Sequence, residues 1–147
     1  NAEELKFKPR SFDRIVGSSI LHHLDLDKSL KEITRVLKPN ANAVFLEPLG
    51  QNIFINLYRK LTPSLRSEDE HPFTELDLVI FKRYFQNVQL HMFHLTTLFS
   101  VPLRNTALFN PLLKFLTKLD NLLFKIPALK KRAWQVIIVA DTPLHER

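Results

Sequence analysis

Apolar and polar positions along this chain follow two alternating periods. "FDRIVGSSIL", Phe12 to Leu21, is a mostly apolar run with β-branched residues and predicts a buried strand of the parallel-sheet type. "LDKSLKEITRVLKP" then turns helical. Leu30, Ile33 and Leu37 share one face, Asp25 or Asp27 can cap the start, and Pro39 is placed to stop it. "NAVFLEPL", Asn42 to Leu49, predicts a second strand ended by Pro48 and Gly50. A short helix around Ile53 to Leu61 and a polar loop, "RSEDEHP", follow.

Thr74 with Asp77 three residues on resembles a capping box, so "TELDLVIFKRYF" predicts a helix. "NVQLHMFHL" alternates, with Val88, Leu90 and Met92 on one face and Gln89 and His91 on the other, and predicts a third strand. Asn110-Pro111 is a good helix start. From there Leu112, Phe115, Leu119, Leu122 and Ile126 recur at steps of three and four, with Lys114, Lys118, Asn121 and Lys125 opposite. "WQVIIVAD" predicts a fourth strand. The order implies an α/β fold with a mostly parallel central sheet and flanking helices.

Composition narrows the function classes. At 147 residues the chain is the size of one domain. It has no cysteine, hence no disulfide framework and no thiolate chemistry, which suits a cytoplasmic setting. No run approaches a membrane span, and "NAEELKFKPRSF" does not read as a signal peptide. Only Gly17 and Gly50 are glycines. A phosphate-cradling loop needs clustered glycines, so kinases, P-loops and complete dinucleotide folds are excluded for these residues.

The net charge of +6 sits in one segment, Arg104 to Arg132, with seven basic residues and one acid, Asp120. A basic amphipathic helix of this kind packs on a sheet, forms a substrate lid, or makes peripheral contact with an anionic membrane through residues 112–126. Nucleic acid is not expected, since exposed aromatics for base stacking are few. Metal is not expected either. "EDEHP" holds suitable ligand types, but adjacent residues cannot all point at one ion, and His91 and His94 point to opposite faces.

The stretch "NAEELKF", then "FDRIV" on a strand, "LHHL" after it and "ITRVLKP" closing the next helix resembles the second half of a class I S-adenosylmethionine-dependent methyltransferase domain. The style is similar to that of the ubiquinone and menaquinone biosynthesis enzymes. The resemblance covers residues 1 to about 50, and "INLYRKLTPSLRSEDEHPFTELDL" looks like the post-strand segment of some members. It implies a partial Rossmann-like methyltransferase fold, with 1–147 the C-terminal part of a single domain. The family's first three strands, glycine-rich loop and ribose-binding acid lie outside it. The isolated chain should therefore bind S-adenosylmethionine poorly or not at all, and expose the edge of its first strand, with poor solubility or self-association as the result.

Residue by residue, the resemblance places Asn1 at the adenine-contacting position, Ala2 at the neighbour whose N–H meets the ring, and Ser18 against the cofactor. Where the family has "LKPGG" this chain has "LKPNAN", and Asn40 can take the left-handed turn geometry of the glycine. Ligands of open α/β sheets bind at the carboxyl ends of strands. His22 and His23 follow Ser18 there as candidates for base or substrate contact. Glu47, at the end of the next strand, and His71, in the polar loop, are further candidates for substrate contact. The implied activity is methyl transfer to a small-molecule or lipid-like acceptor. The alternative is a non-catalytic half that pairs with a protein or a membrane.

Overall fold

A computed structural model describes residues 1–61 and 73–144. The expected helices and strands are present, with shifted ends. β1 (Phe12–Ser18) leads through a 3-10 turn, Leu21–His23, into α1 (Leu26–Val36). β2 (Leu37–Pro48) follows, then α2 (Ile53–Leu61), α3 (Glu75–Tyr84) and β3 (Phe85–Phe93). A second 3-10 stretch (Thr97–Leu103), α4 (Phe109–Leu123), α5 (Pro127–Lys130) and β4 (Gln135–Pro143) complete the order.

Local chemistry accounts for most boundaries. The Asp25 side chain accepts from the Lys28 N–H at 3.1 Å and caps α1. This hydrogen bond, then its ion pair with Lys28, hold the exposed Asp25 carboxyl below the usual carboxylate range. The Thr74–Asp77 capping box is complete and opens α3. The junction of α1 and β2 differs from the sequence reading. α1 ends at Val36, and Leu37 already pairs with Phe12, so β2 runs through Pro39 and the register jumps between Phe12 and Arg14. The extra length is taken up as an irregularity beside β1. Asn40 is accordingly not left-handed; among the described residues Arg10, Ser19, His94 and Thr142 are the non-glycine residues at positive φ.

The sheet order is β1-β2-β4-β3. β1 and β2 are parallel, whereas β4 is antiparallel to both β2 and β3. The expectation of a mostly parallel sheet is thus corrected to a mixed one. The segment between β3 and β4 does not cross back over the sheet. It returns at the edge where β3 ended, so β4 runs down between β2 and β3 against both. β1, β2 and β3 still share a direction, and their carboxyl ends define one edge.

The core lies between the sheet and α1 and α3. Leu30, Ile33, Phe81, Phe85, Val136 and Ile138 are buried in it. The rings of Phe45, Phe73 and Phe85 surround that of Phe81, with centroids 6.0, 6.3 and 6.5 Å from it. Gly17 sits against Phe45: a Cβ there would lie 2.6 Å from the Phe45 ring. Only glycine lets β1 approach that closely.

Candidate active site

The site is built where β1 and β2 end side by side. Ser18 pairs with Leu46, and the Ser19 N–H donates to the Leu46 carbonyl at 2.8 Å. Ser19 then takes a left-handed conformation, φ 51°, which turns the chain sharply into the 3-10 turn Leu21–His23. β2 alternates strictly, with Ala41, Ala43, Phe45, Glu47 and Leu49 on the buried face. One of these five is an acid. Glu47 is fully buried and lies under the turn.

Glu47 is saturated with hydrogen bonds. Its Oε1 accepts from the N–H groups of Ile20 at 3.1 Å and Leu21 at 3.0 Å. Its Oε2 lies 2.7 Å from His22 Nδ1. A carboxylate only accepts, so Nδ1 carries a proton, and in the neutral imidazole the lone pair lies on Nε2. The His22 side chain is 6% exposed. His23 is exposed and its ring lies against that of His22, centroids 4.1 Å apart and tilted by 39°. The pair resolves into an oriented imidazole and a solvent-facing cover.

Glu47 was expected to contact substrate. Both its oxygens are occupied and no part of it is exposed, so its carboxyl holds the turn and His22 and does not reach the surface. His71 lies outside the described residues. Asn1 and Ala2 form a turn in which Asn1 Oδ1 accepts from the Glu3 N–H at 3.1 Å. Glu3 in turn accepts from the Asp25 N–H at 2.8 Å, which ties this turn to the loop that follows His23. Ser18 is exposed at the end of β1.

Two residues at this edge carry structure the sequence reading did not single out. Asn52, buried after β2, donates to the Arg132 carbonyl at 2.8 Å and caps α2 by accepting from the Ile55 N–H. Asp120 is buried and accepts from the Leu95 N–H (3.0 Å), the Thr96 N–H (2.7 Å) and the hydroxyls of Thr96 (2.6 Å) and Thr97 (3.0 Å). Burial pushes its carboxyl up, but the bonds from Thr96, Leu95 and Thr97 outweigh this and hold it below the usual range. A neutral-looking Asn after a strand and a lone acid in a basic run were the available signals.

Residues 1–45 match the family model of the methyltransferase domain. Over 51 residues, 34% of this chain and 2% of that protein, the sequence is 37% identical to a probable polyketide synthase 42 of Dictyostelium discoideum. The fold is similar to a SAM-dependent methyltransferase from Methanosarcina mazei (TM-score 0.55, 23% identity, 99% of this chain and 66% of that one). It is also similar to phosphoethanolamine N-methyltransferase 2 of Haemonchus contortus, solved with S-adenosyl-L-methionine (TM-score 0.61, 16% identity, 98% of this chain and 36% of that one). The chain thus shares the fold of class I S-adenosylmethionine-dependent methyltransferases, and its first 45 residues match their domain model.

A third methyltransferase match is the CMeT domain of the citrinin polyketide synthase (TM-score 0.53, 16% identity, 97% of this chain and 31% of that one). The chain spans less than two thirds of the length of these relatives. Within the methyltransferase fold, the dyad and the Asn1–Ala2 turn lie on the carboxyl-end edge, where ligands of α/β sheets bind. Asn1 Oδ1 keeps a second lone pair beyond its bond from the Glu3 N–H, and Ser18 is exposed.

Proposed function

We propose that this chain forms the acceptor side of a methyltransferase in which His22 removes the acceptor's proton. The observation that carries the reading is the buried Glu47–His22 pair, 2.7 Å apart, at the carboxyl ends of β1 and β2. Bound S-adenosylmethionine supplies an electrophilic methyl group on its sulfonium. Asn1 and Ala2 hold the adenine and Ser18 lies along the cofactor. His22 accepts the acceptor's proton at Nε2, while Glu47 fixes the tautomer and stabilises the imidazolium that forms. Held in line, the acceptor then displaces the sulfonium sulfur, and positioning supplies the rest.

A base so firmly oriented serves an acceptor that must lose a proton. That favours a hydroxyl or an acidic C–H beside a carbonyl, on a small or lipid-like molecule, over a free amine that attacks through its own lone pair. His23 caps the imidazole and stands at the solvent side of the acceptor.

Calorimetric titration tests the reading. S-adenosylmethionine and S-adenosylhomocysteine are titrated into the 147-residue chain and into the chain extended by its upstream coding sequence. Binding by the extended form, reduced by Ser18→Leu, is the expected result. Absence of binding in both forms would overturn the enzyme reading and leave the non-catalytic module.

A further inference from the structure

The helix expected to bury one apolar row leaves most of that row exposed. Asn110 and Pro111 were expected to start it, but α4 begins at Phe109, and its N-cap Leu108 offers no side-chain cap. Leu116 and Asp120 face inward. Asp120 decides this, since its carboxyl is fastened to the chain at Leu95–Thr97, just past the end of β3. Of the expected apolar row, Leu112 and Leu119 are partly buried, but Phe115, Leu122 and Ile126 are 63%, 59% and 51% exposed, and Leu108 is 65% exposed. Leu108, Phe115 and Leu122 are seven residues apart in turn and so occupy nearly one angular position along α4.

The charge on this outer face has one sign. Lys114, Lys118 and Lys125 are exposed beside the apolar row, and the segment's one acid, Asp120, is turned inside. An exposed apolar row of this kind marks an interaction surface. A row edged by lysines with flexible stems matches an interface whose interior is apolar and whose surface is anionic. A second copy of the chain fits poorly, because an isologous contact would set the lysine rows against each other. Asp120 ties α4 to the chain just past the end of β3, on the carboxyl-end side of the sheet where the His22–Glu47 pair also lies. Among the described residues no helix is long and apolar enough to cross a membrane.

We propose that the outer face of α4 seats the protein on an anionic bilayer surface, with Phe115 and Leu122 in the apolar boundary and Lys114, Lys118 and Lys125 among the headgroups. The binding stands on these residues alone. Only its use, presenting a lipid-like acceptor at the adjacent edge, rests on the methyltransferase reading.

The test is co-sedimentation with vesicles of phosphatidylcholine, alone or mixed in equal parts with phosphatidylglycerol. The protein should partition onto the mixed vesicles and not the neutral ones. Each Lys→Gln change at 114, 118 and 125 should weaken binding about fivefold. F115S/L122S should weaken it about tenfold or more, with an unchanged circular dichroism spectrum because both sites are exposed. H22A should bind vesicles like the parent, which separates this test from that of the catalytic reading. No binding to mixed vesicles, equal binding to both kinds, or a K114Q/K118Q/K125Q variant that still binds would overturn the proposal. So would a concentration-dependent dimer abolished by F115S/L122S, which would assign the face to a second copy.

Discussion

Replacing Glu47 by glutamine separates its two tasks. The carboxyl takes three donors: two backbone N–H groups through Oε1 and the His22 ring through Oε2. Glutamine has one oxygen. If that oxygen turned to His22, the amide NH2 would face the N–H groups of Ile20 and Leu21 and leave two buried donors unpaired, at about 1–3 kcal/mol each. The oxygen therefore stays on the backbone pair and the NH2 donates to Nδ1. His22 must then shift its proton to Nε2, which removes the lone pair assigned to the acceptor. The cost in stability is about 1–3 kcal/mol, for one charge-assisted hydrogen bond exchanged for a weaker one. The cost in methyl transfer is that of a lost general base, about 10²–10⁴-fold, with cofactor affinity unchanged. Urea unfolding reads the first quantity, and ¹⁵N-histidine NMR of the imidazole reads the tautomer without any acceptor. A His22 still protonated at Nδ1 in E47Q would refute the reasoning, as would full methyl transfer by that variant.

Two further predictions concern the frame around the site. Asp120 has a folded carboxyl below its unfolded value near 3.9, so the stability it contributes is present above about pH 4 and lost as pH falls through the lower, folded value. D120N should be less stable at pH 7 and lose less on acidification, and equal acid slopes in urea titrations of the two proteins would contradict this. G17A would place a methyl 2.6 Å from the Phe45 ring and should cost about 1–3 kcal/mol; F45L should relieve part of that, and a stable G17A with no coupling to F45L in a double-mutant cycle would show that β1 can move away.

Much of this fold was legible because it is local. β4 is a run of β-branched residues, Thr74 and Asp77 complete a capping box within one turn, and Val88, Leu90 and Met92 do pack toward the core. The direction of β4 was not legible, since whether the chain recrosses the sheet after β3 depends on contacts far apart in sequence. α4 was misread for a related reason. Leucines and phenylalanines surround much of it, so periodicity alone offered two apolar rows, and the choice fell to a carboxyl that needs donors at Leu95–Thr97, 23 to 25 residues away.

The same physics links the two residues that shape the candidate site. Glu47 falls on the buried parity of β2, between Phe45 and Leu49, and Asp120 is the one acid in a basic helix. A carboxyl on a buried position persists only where donors meet it, and the donors that do so most readily are the unpaired N–H groups of chain just leaving a strand. Glu47 gathers those after β1 and Asp120 those after β3, both at the carboxyl ends of parallel-running strands. Each acid therefore fastens a loop at the one edge where ligands of this fold bind. An acid out of step with an apolar period is a reason to look for the loop it holds, and here that loop carries His22.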